Sequence, residues 1–475
     1  MPQAPPRQYS IESRVTWDNA PAKVSHAPTP SAPSVPSVPP APYAPAGGAT
    51  RTRRLAWLDA LRGLAALCVV YAHFGTRVLP AVHNAVYSAF DPGLYGVLVF
   101  FMISGYIVPA SLERKGSVRS FWLGRVFRLF PLFVVAIAAV LVLHGFGMAS
   151  VRGTNNDVTA SVFSHLFMLN DLLGQTNVIV VLWTLSYEMV FYLLLTALFT
   201  AGLHKRSGWY GGAFALGALL LGGVLPTVWL SYSSLGLTRV AVAGDVLIIG
   251  GVVIAVASRG VPRAVGAWIA AATGLVLIAF NERRFPYEGL TILALMFTGT
   301  LLYRAEQGQI GRGRAAAVAG GVFAAAIAAG AWHIPALLPA DQAGLDQREW
   351  VTTVALAGLT FAVGLALRNL RVPAVLAWLG LVSYSVYLLH PLLLDLYDSA
   401  PPTHGQHSIL IQLVMSSVFL AALLAGCTLT YYLVEAPMQR LGRRVATRLD
   451  ARFGPDRPGV RAPARRLEPA GEPAG

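Results

Sequence analysis

The chain has 475 residues, 55% hydrophobic and only 12% charged, with a formal net charge of +14. So few charges exclude an ordinary soluble domain, in which about 25% of residues are charged. The positive surplus does not suit a nucleic-acid surface either, because Arg and Lys fall between apolar blocks and in the C-terminal tail rather than on one soluble face; no nucleic-acid partner is expected.

Residues 1–50 form a leader rich in Pro, Ala and Ser (PTPSAPSVPSVPPAPYAPAGG), too poor in apolar residues for a core and expected to be disordered. No signal peptide is visible, because the first apolar run starts only near Leu55. From there to residue 445 the apolar residues come in continuous blocks of about 16–25, enough to cross a hydrocarbon core roughly 30 Å thick. Continuous blocks argue against a β-barrel, whose strands alternate with a two-residue period. The predicted fold is an all-α, polytopic transmembrane helical bundle.

Twelve candidate spans lie near 55–75, 94–112, 121–146, 178–201, 211–231, 240–258, 264–280, 288–303, 315–334, 351–368, 376–397 and 408–434. The seventh and eighth approach the lower limit of about 17 residues, which leaves 10–12 crossings. Residues 446–475 are Arg-, Pro- and Ala-rich and are expected to be a basic, disordered cytoplasmic tail. If RTRR (51–54) is cytoplasmic, the loops on its side carry twelve Lys and Arg and the alternate loops six. That excess follows the positive-inside rule and puts both termini in the cytoplasm, with an even number of crossings. High Ala, Gly, Pro and Arg content suggests a GC-rich bacterial genome, hence a bacterial cell membrane.

The first span, RLAWLDALRGLAALCVVYAHF (54–74), carries Asp59, Arg62 and His73. A charge near mid-bilayer costs roughly 2.5–3.5 kcal/mol on insertion scales, so such residues are functional candidates by default. Eleven residues of helix amount to about 1,100° and about 16 Å of rise, which puts Arg62 and His73 on one face at two depths. Asp59, three residues before Arg62, is placed to pair with it. A snorkelling Arg and an interfacial His account for either residue alone, but the trio on one face favours function.

In FWLGRVFRLFPLF (121–133), Arg125 and Arg128 share a face at the start of a span. Anchoring by the positive-inside rule explains the pair blandly; an anion clamp explains it sharply, since guanidinium forks suit phosphate oxygens. Glu188, in LWTLSYEMVFYLLL (182–195), is expected deep in its span, where it must be protonated or find a cation. Arg62, Arg125, Arg128 and His73 are the available partners, and sequence alone does not choose. In WLGLVSYSVYLLHPLLLD (378–395), His390 falls in the outer half of its span. HPLLLD matches an H-x4-D acyltransferase signature, but only two residues are fixed and Pro391 alters the helix spacing, so the match is discounted.

The two cysteines, Cys68 and Cys427, lie in apolar blocks and suggest no disulfide framework. No Cys/His cluster with metal-ligand spacing, no phosphate-binding Gly loop and no G-x-S-x-G is present, so no metal is expected.

Taken together, these stretches resemble the integral-membrane acyltransferase-3 family over about residues 55–445. LDALRG (58–63) followed by His73 resembles its opening pattern, and FFMISGYIV (100–108) its Phe-Phe-x-x-Ser-Gly span. RVFRLFP (125–131) matches Arg-x-x-Arg-x-x-Pro. WTLSYEMVFY (183–192) matches Trp-Ser-Leu-x-x-Glu-x-x-Phe-Tyr, with Thr184 for the usual Ser and Met189 where a second Glu often stands. SYSVYLLHPL (383–392) and VEAPMQRL (434–441) resemble its closing motifs.

The resemblance implies transfer of an acyl group, commonly acetyl, from acyl-coenzyme A (a co-substrate rather than a tightly bound cofactor) to a hydroxyl of a saccharide, lipid or macrolide-type acceptor. It implies that Arg62 and His73 are the essential pair, with His73 as the base, since imidazole has a pKa near 6.5. Arg125 and Arg128 would hold the coenzyme A phosphates at the cytoplasmic side. Glu188 would orient or compensate a cation, and Trp183 and His390 would line an acceptor pocket. Some relatives carry an appended SGNH hydrolase-like domain; none is seen here, so its step is expected to be absent or supplied by a partner. The competing expectation is a multi-span transporter or exporter of a small molecule or lipid-linked sugar, which the span number and a deep Glu188 also suit. Against it, matching broken helices in two halves are not evident.

Overall fold

The computed structural model describes residues 48–149, 151, 158–399 and 408–454, which contain fifteen α-helices and no strand. In chain order these are α1 Gly48–Val78, α2 Pro80–Tyr87, α3 Pro92–Lys115, α4 Val118–Gly145, α5 Val158–Leu166, α6 Trp183–Thr200, α7 Ser207–Leu221 and α8 Ser234–Ala257. There follow α9 Gly260–Phe280, α10 Pro286–Glu306, α11 Arg312–Leu337, α12 Ala340–Ala366, α13 Ala374–Ser399, α14 Ile409–Thr430 and α15 Ala436–Phe453. A 3-10 turn, Val180–Leu182, leads into α6, and a π turn, Tyr431–Glu435, joins α14 to α15.

Among the described residues, ten helices are long and apolar enough to cross a membrane, and the chain is a multi-pass membrane protein. The two apolar blocks left over are the fifth and the eighth of the twelve, where span length alone had flagged the seventh and eighth. Helix α7 has 15 residues, about 22 Å of rise against a core of roughly 30 Å. Helix α10 is long, but nearly all its residues are buried and it packs against α3, α7 and α11. Shielded from lipid, it tolerates Glu288, Arg304 and Glu306, which lower its apolar character; Arg304, 1% exposed, is paired with Glu113 and Gln309. Large apolar side chains on outward faces, such as Val134, Val142, Leu220, Val253 and Leu359, remain exposed, as expected where lipid replaces water.

Bonds between loops define two ends. At the basic end, Arg304 ties α3 to the α6–α7 turn through Glu113 and the His204 carbonyl, Arg368 pairs with Glu306 at 3.4 Å, and Arg259 donates to the Phe453 carbonyl at 2.6 Å. At the other end, Arg77 pairs with Asp398 at 2.7 Å and the Asn281 amide donates to the Leu172 carbonyl at 3.0 Å.

The leader to residue 47 and residues 455–475 lie outside the described residues, so the disorder expected for them is not addressed. Residues 446–453, placed in the tail by composition, form the last turns of α15. Composition missed a periodicity: Met438, Leu441, Val445, Leu449 and Phe453 recur at helical spacing, with Arg440, Arg443 and Arg444 on the other face.

Candidate active site

The turn between α3 and α4 is written in three residues. Gly116, at φ 61°, closes α3 in the left-handed conformation, and Ser117 caps α4 by accepting from the Ser120 amide at 3.0 Å. The turn brings Gly124 and Arg125 on α4 beside Lys115 at the end of α3. The hydroxyl of Tyr384 on α13 donates to the Leu129 carbonyl at 2.9 Å, fixing α4 one residue beyond Arg128. Helix α1 is held by a close approach to α13. A Cβ on Gly380 would lie 2.0 Å from the Asp59 carbonyl oxygen, and one on Gly63 2.7 Å from the Leu379 Cβ. Only glycines admit this spacing, and they bracket Arg62.

These elements enclose a cavity of about 710 Å³ lined by Arg62, Ser104, Arg125, Arg128, Glu188 and Tyr384, with apolar residues of α3 between them. Arg62 lies 3.6 Å from Asp59, as its spacing suggested. Glu188 accepts hydrogen bonds from the Ser104 hydroxyl at 3.0 Å and from the Tyr192 hydroxyl. The Arg125 guanidinium is buried, 5.3 Å from the centre of the Tyr192 ring and 5.6 Å from that of Phe121, within cation–π range. Three guanidinium groups therefore line the cavity with one carboxylate, and a second, Asp59, lies beside Arg62. In a low-dielectric interior, such a surplus is costly unless an anion offsets it.

His73 does not line this cavity. It lies about 16 Å further along α1, in a second cavity of about 640 Å³ with Arg77, Pro391 and Asp395. Its ring is 5.3 Å from that of His390, which is fully buried. The Nδ1 of His390 lies 3.0 Å from the Val386 carbonyl and must be the donor, because a carbonyl only accepts; its Nε2 then carries the lone pair and has no hydrogen-bond partner among the described residues. Tyr387 lies three residues before His390 on α13. It lines the first cavity, its ring is 6.3 Å from that of His390, and its hydroxyl is 2.8 Å from that of Thr184.

The expected site residues thus divide. Arg62, Arg125, Arg128 and Glu188 line one cavity; His73 lines another, with the His390 ring 5.3 Å from its own. Of the residues expected to line an acceptor pocket, His390 is not among those lining these two cavities, nor is Trp183. Its ring is covered by the Arg284 guanidinium at 4.0 Å, and Arg284 pairs with Glu288 at 2.6 Å. This polar cluster also holds Glu282, which accepts from the Tyr187 hydroxyl at 2.9 Å. Burial pushes the Glu282 carboxyl well above the usual carboxylate range and that of Asp171 up to about 6.

Sequence reasoning passed over Ser104, Tyr384, Tyr387 and Asp395. The first three sit inside motifs whose other members were chosen, FFMISGYIV and SYSVYLLHPL. Asp395 belongs to the discounted HPLLLD. Five residues from His390, it points about 140° away on the helix, so the pair is no H-x4-D site, yet Asp395 shares a cavity with His73.

A family model described as an acyltransferase domain matches residues 55–434. The chain belongs to the acyltransferase-3 family. It is 31% identical over 152 residues to acyltransferase MdmB of Streptomyces mycarofaciens, covering 30% of this chain and 38% of that protein. It is 33% identical over 166 residues to nodulation protein 10 of Rhizobium leguminosarum bv. viciae, covering 30% and 43%. With the peptidoglycan O-acetyltransferase OatA of Listeria monocytogenes it shares 27% over 190 residues, covering 37% and 28%. The chain thus spans less than half the length of these relatives. No solved structure matches it.

Proposed function

We propose that this family member is a membrane-bound O-acyltransferase that moves an acyl group, in the simplest case acetyl, from acyl-coenzyme A to a hydroxyl of a saccharide or glycoside. The observation that carries the reading is the arginine cavity, lined by Arg62, Arg125 and Arg128 with Glu188 as its one lining carboxylate and Asp59 beside Arg62. Buried guanidinium groups in excess suit a multiply charged phosphate ligand held in bidentate geometry. In this reading the basic end faces the cytosol of a bacterium, as do both chain termini, and acyl-coenzyme A enters there. Glu188, held by Ser104 and Tyr192, sets the spacing of the guanidinium groups.

The acyl end passes Tyr387 and reaches His73. The acceptor hydroxyl enters the second cavity from the opposite face, near Arg77 and Asp395, where the lone pair of His390 offers it an acceptor. His73 takes the hydroxyl proton as the oxygen attacks the thioester carbonyl. The new C–O bond forms, the C–S bond breaks, and the imidazolium returns its proton to the departing thiolate.

The test is acetyl-coenzyme A supplied to membranes containing the protein and a glycoside acceptor, followed by free thiol release and by a base-labile ester. His73→Ala should lower the rate by about 10²–10⁴. Undiminished ester formation in that variant would remove the assigned base. Uptake of the glycoside with no covalent product would replace the enzyme reading with the transporter one.

A further inference from the structure

Beside the arginine cavity, at the basic end, lies a wider groove of about 1310 Å³. The two share Arg125 and Arg128. The groove's other charged residues are Arg114 and Lys115 from the α3–α4 turn and Arg443 and Asp450 from α15.

Helix α15 is fixed against α4. A Cβ on Gly442 would lie 2.6 Å from the Phe127 Cβ, so glycine lets the two helices touch. Asp450 lies 3.5 Å from the Arg119 guanidinium and accepts from the Ser120 hydroxyl at 3.2 Å. Arg119 and Arg259 donate to the Gly454 and Phe453 carbonyls at the helix end. The single acid in the groove is therefore engaged by α4. Lys115 sits close enough to Arg114, Arg125 and Arg443 for their charges to repel, and among the described residues no carboxylate is within ion-pair distance of these three arginines or Arg128. Cations are crowded here, on elements pinned in place, with the Lys115 ammonium held toward the groove by the Ser120 carbonyl at 3.2 Å.

We propose that this groove binds the 3′-phosphate of the coenzyme A nucleotide, with Lys115 and Arg443 as its principal ligands and α15 as the wall that presents Arg443. The proposal rests on the acyl-coenzyme A reading above. The thioester is the end that must travel inward past Arg62, so the phosphate most remote from it stays at the mouth. A dianionic phosphomonoester suits several cations grouped at one site. An anionic lipid headgroup offers the same chemistry, and the experiment separates the two.

The full chain in nanodiscs of zwitterionic lipid is titrated with acetyl-coenzyme A and with its 3′-dephospho form, as wild type and as Lys115→Gln/Arg443→Gln. Wild type should prefer the phosphorylated form by about 10- to 100-fold, the range for hydrogen bonds to charged groups. The double variant should lose that preference while binding the dephospho form as before. Equal binding of both forms by wild type, or a preference that survives in the variant, overturns the proposal and leaves the acyltransferase reading intact. Binding of neither form by wild type removes both. If the nucleotide preference persists and the variant loses only phosphatidylglycerol binding in anionic nanodiscs, the groove is a lipid site and the proposal fails.

Discussion

The cavity at the basic end and the cavity lined by His73 are built from different chemistry on the same helices. Helix α1 gives the first a guanidinium, Arg62, and the second an imidazole, His73; α13 gives the first Tyr384 and the second Asp395. The first carries permanent positive charge in excess, which binds anions but is a poor proton acceptor at any accessible pH. The second is lined by His73, whose ring lies 5.3 Å from that of His390, and in the proposed function His73 is the proton acceptor. Under the proposed function, binding of a charged donor and proton transfer at an acceptor would be separated by about 16 Å of one helix.

Four changes would break or sharpen this contrast. The largest effect is expected at Arg128: Arg128→Ala should raise KM for acetyl-coenzyme A by about 10- to 100-fold with a smaller change in kcat, through loss of a charge-assisted bond. A fall in kcat with KM unchanged would place Arg128 in the chemical step instead. Next is Tyr387, which the acyl end passes in the proposed function. Tyr387→Ala should widen that passage, and the ratio of acetyl-coenzyme A hydrolysis to ester formation should rise several-fold as water reaches the thioester; an unchanged ratio would show that Tyr387 shields nothing.

The third concerns the scaffold. Gly380→Val drives a side chain into the Asp59 carbonyl and should cost about 1–3 kcal/mol in overpacking, with activity lost along with the placement of Arg62. Wild-type thermal stability in this variant would contradict the close approach. The fourth, and the one least tied to chemistry, is pH. The Asp171 carboxyl titrates at about 6 in the fold against an ordinary 3.8. The folded state holds more protons between those values, so stability is full below about pH 4 and falls as pH rises through 6. At 1.36 kcal/mol per unit the loss is on the order of 2–3 kcal/mol. Melting curves of wild type should show it and those of Asp171→Asn should not; parallel curves would count against the burial of a titrating carboxyl.

Much of this arrangement could be read in the sequence, because apolar block length and helical spacing are local properties. The blocks located the helices, and eleven residues of spacing put Arg62 and His73 on one face. Local patterns could not say which blocks meet lipid. Helix α10 looks like a span by its apolar run, yet it is wrapped by α3, α7 and α11 and carries a buried Arg304. Nor could they choose partners for Glu188: Tyr192 is one helical turn away, but Ser104 is 84 residues distant. Nor could they show the surroundings of Trp183, since the guanidinium that covers it belongs to a loop a hundred residues on. Nor could helical spacing show that Arg62 and His73 line different cavities, because that depends on side chains brought in by other helices, such as Tyr384 and Asp395 of α13.

The central claim is that donor and acceptor meet from opposite faces of the membrane. It is tested most directly with sealed proteoliposomes in which the protein is inserted in one orientation, with acetyl-coenzyme A and a glycoside supplied on chosen sides. The account predicts ester formation only when acetyl-coenzyme A is at the face bearing Arg114 and Lys115 and the glycoside is at the face bearing Arg77 and Asp398. Ester formed with both substrates confined to the basic face would contradict it.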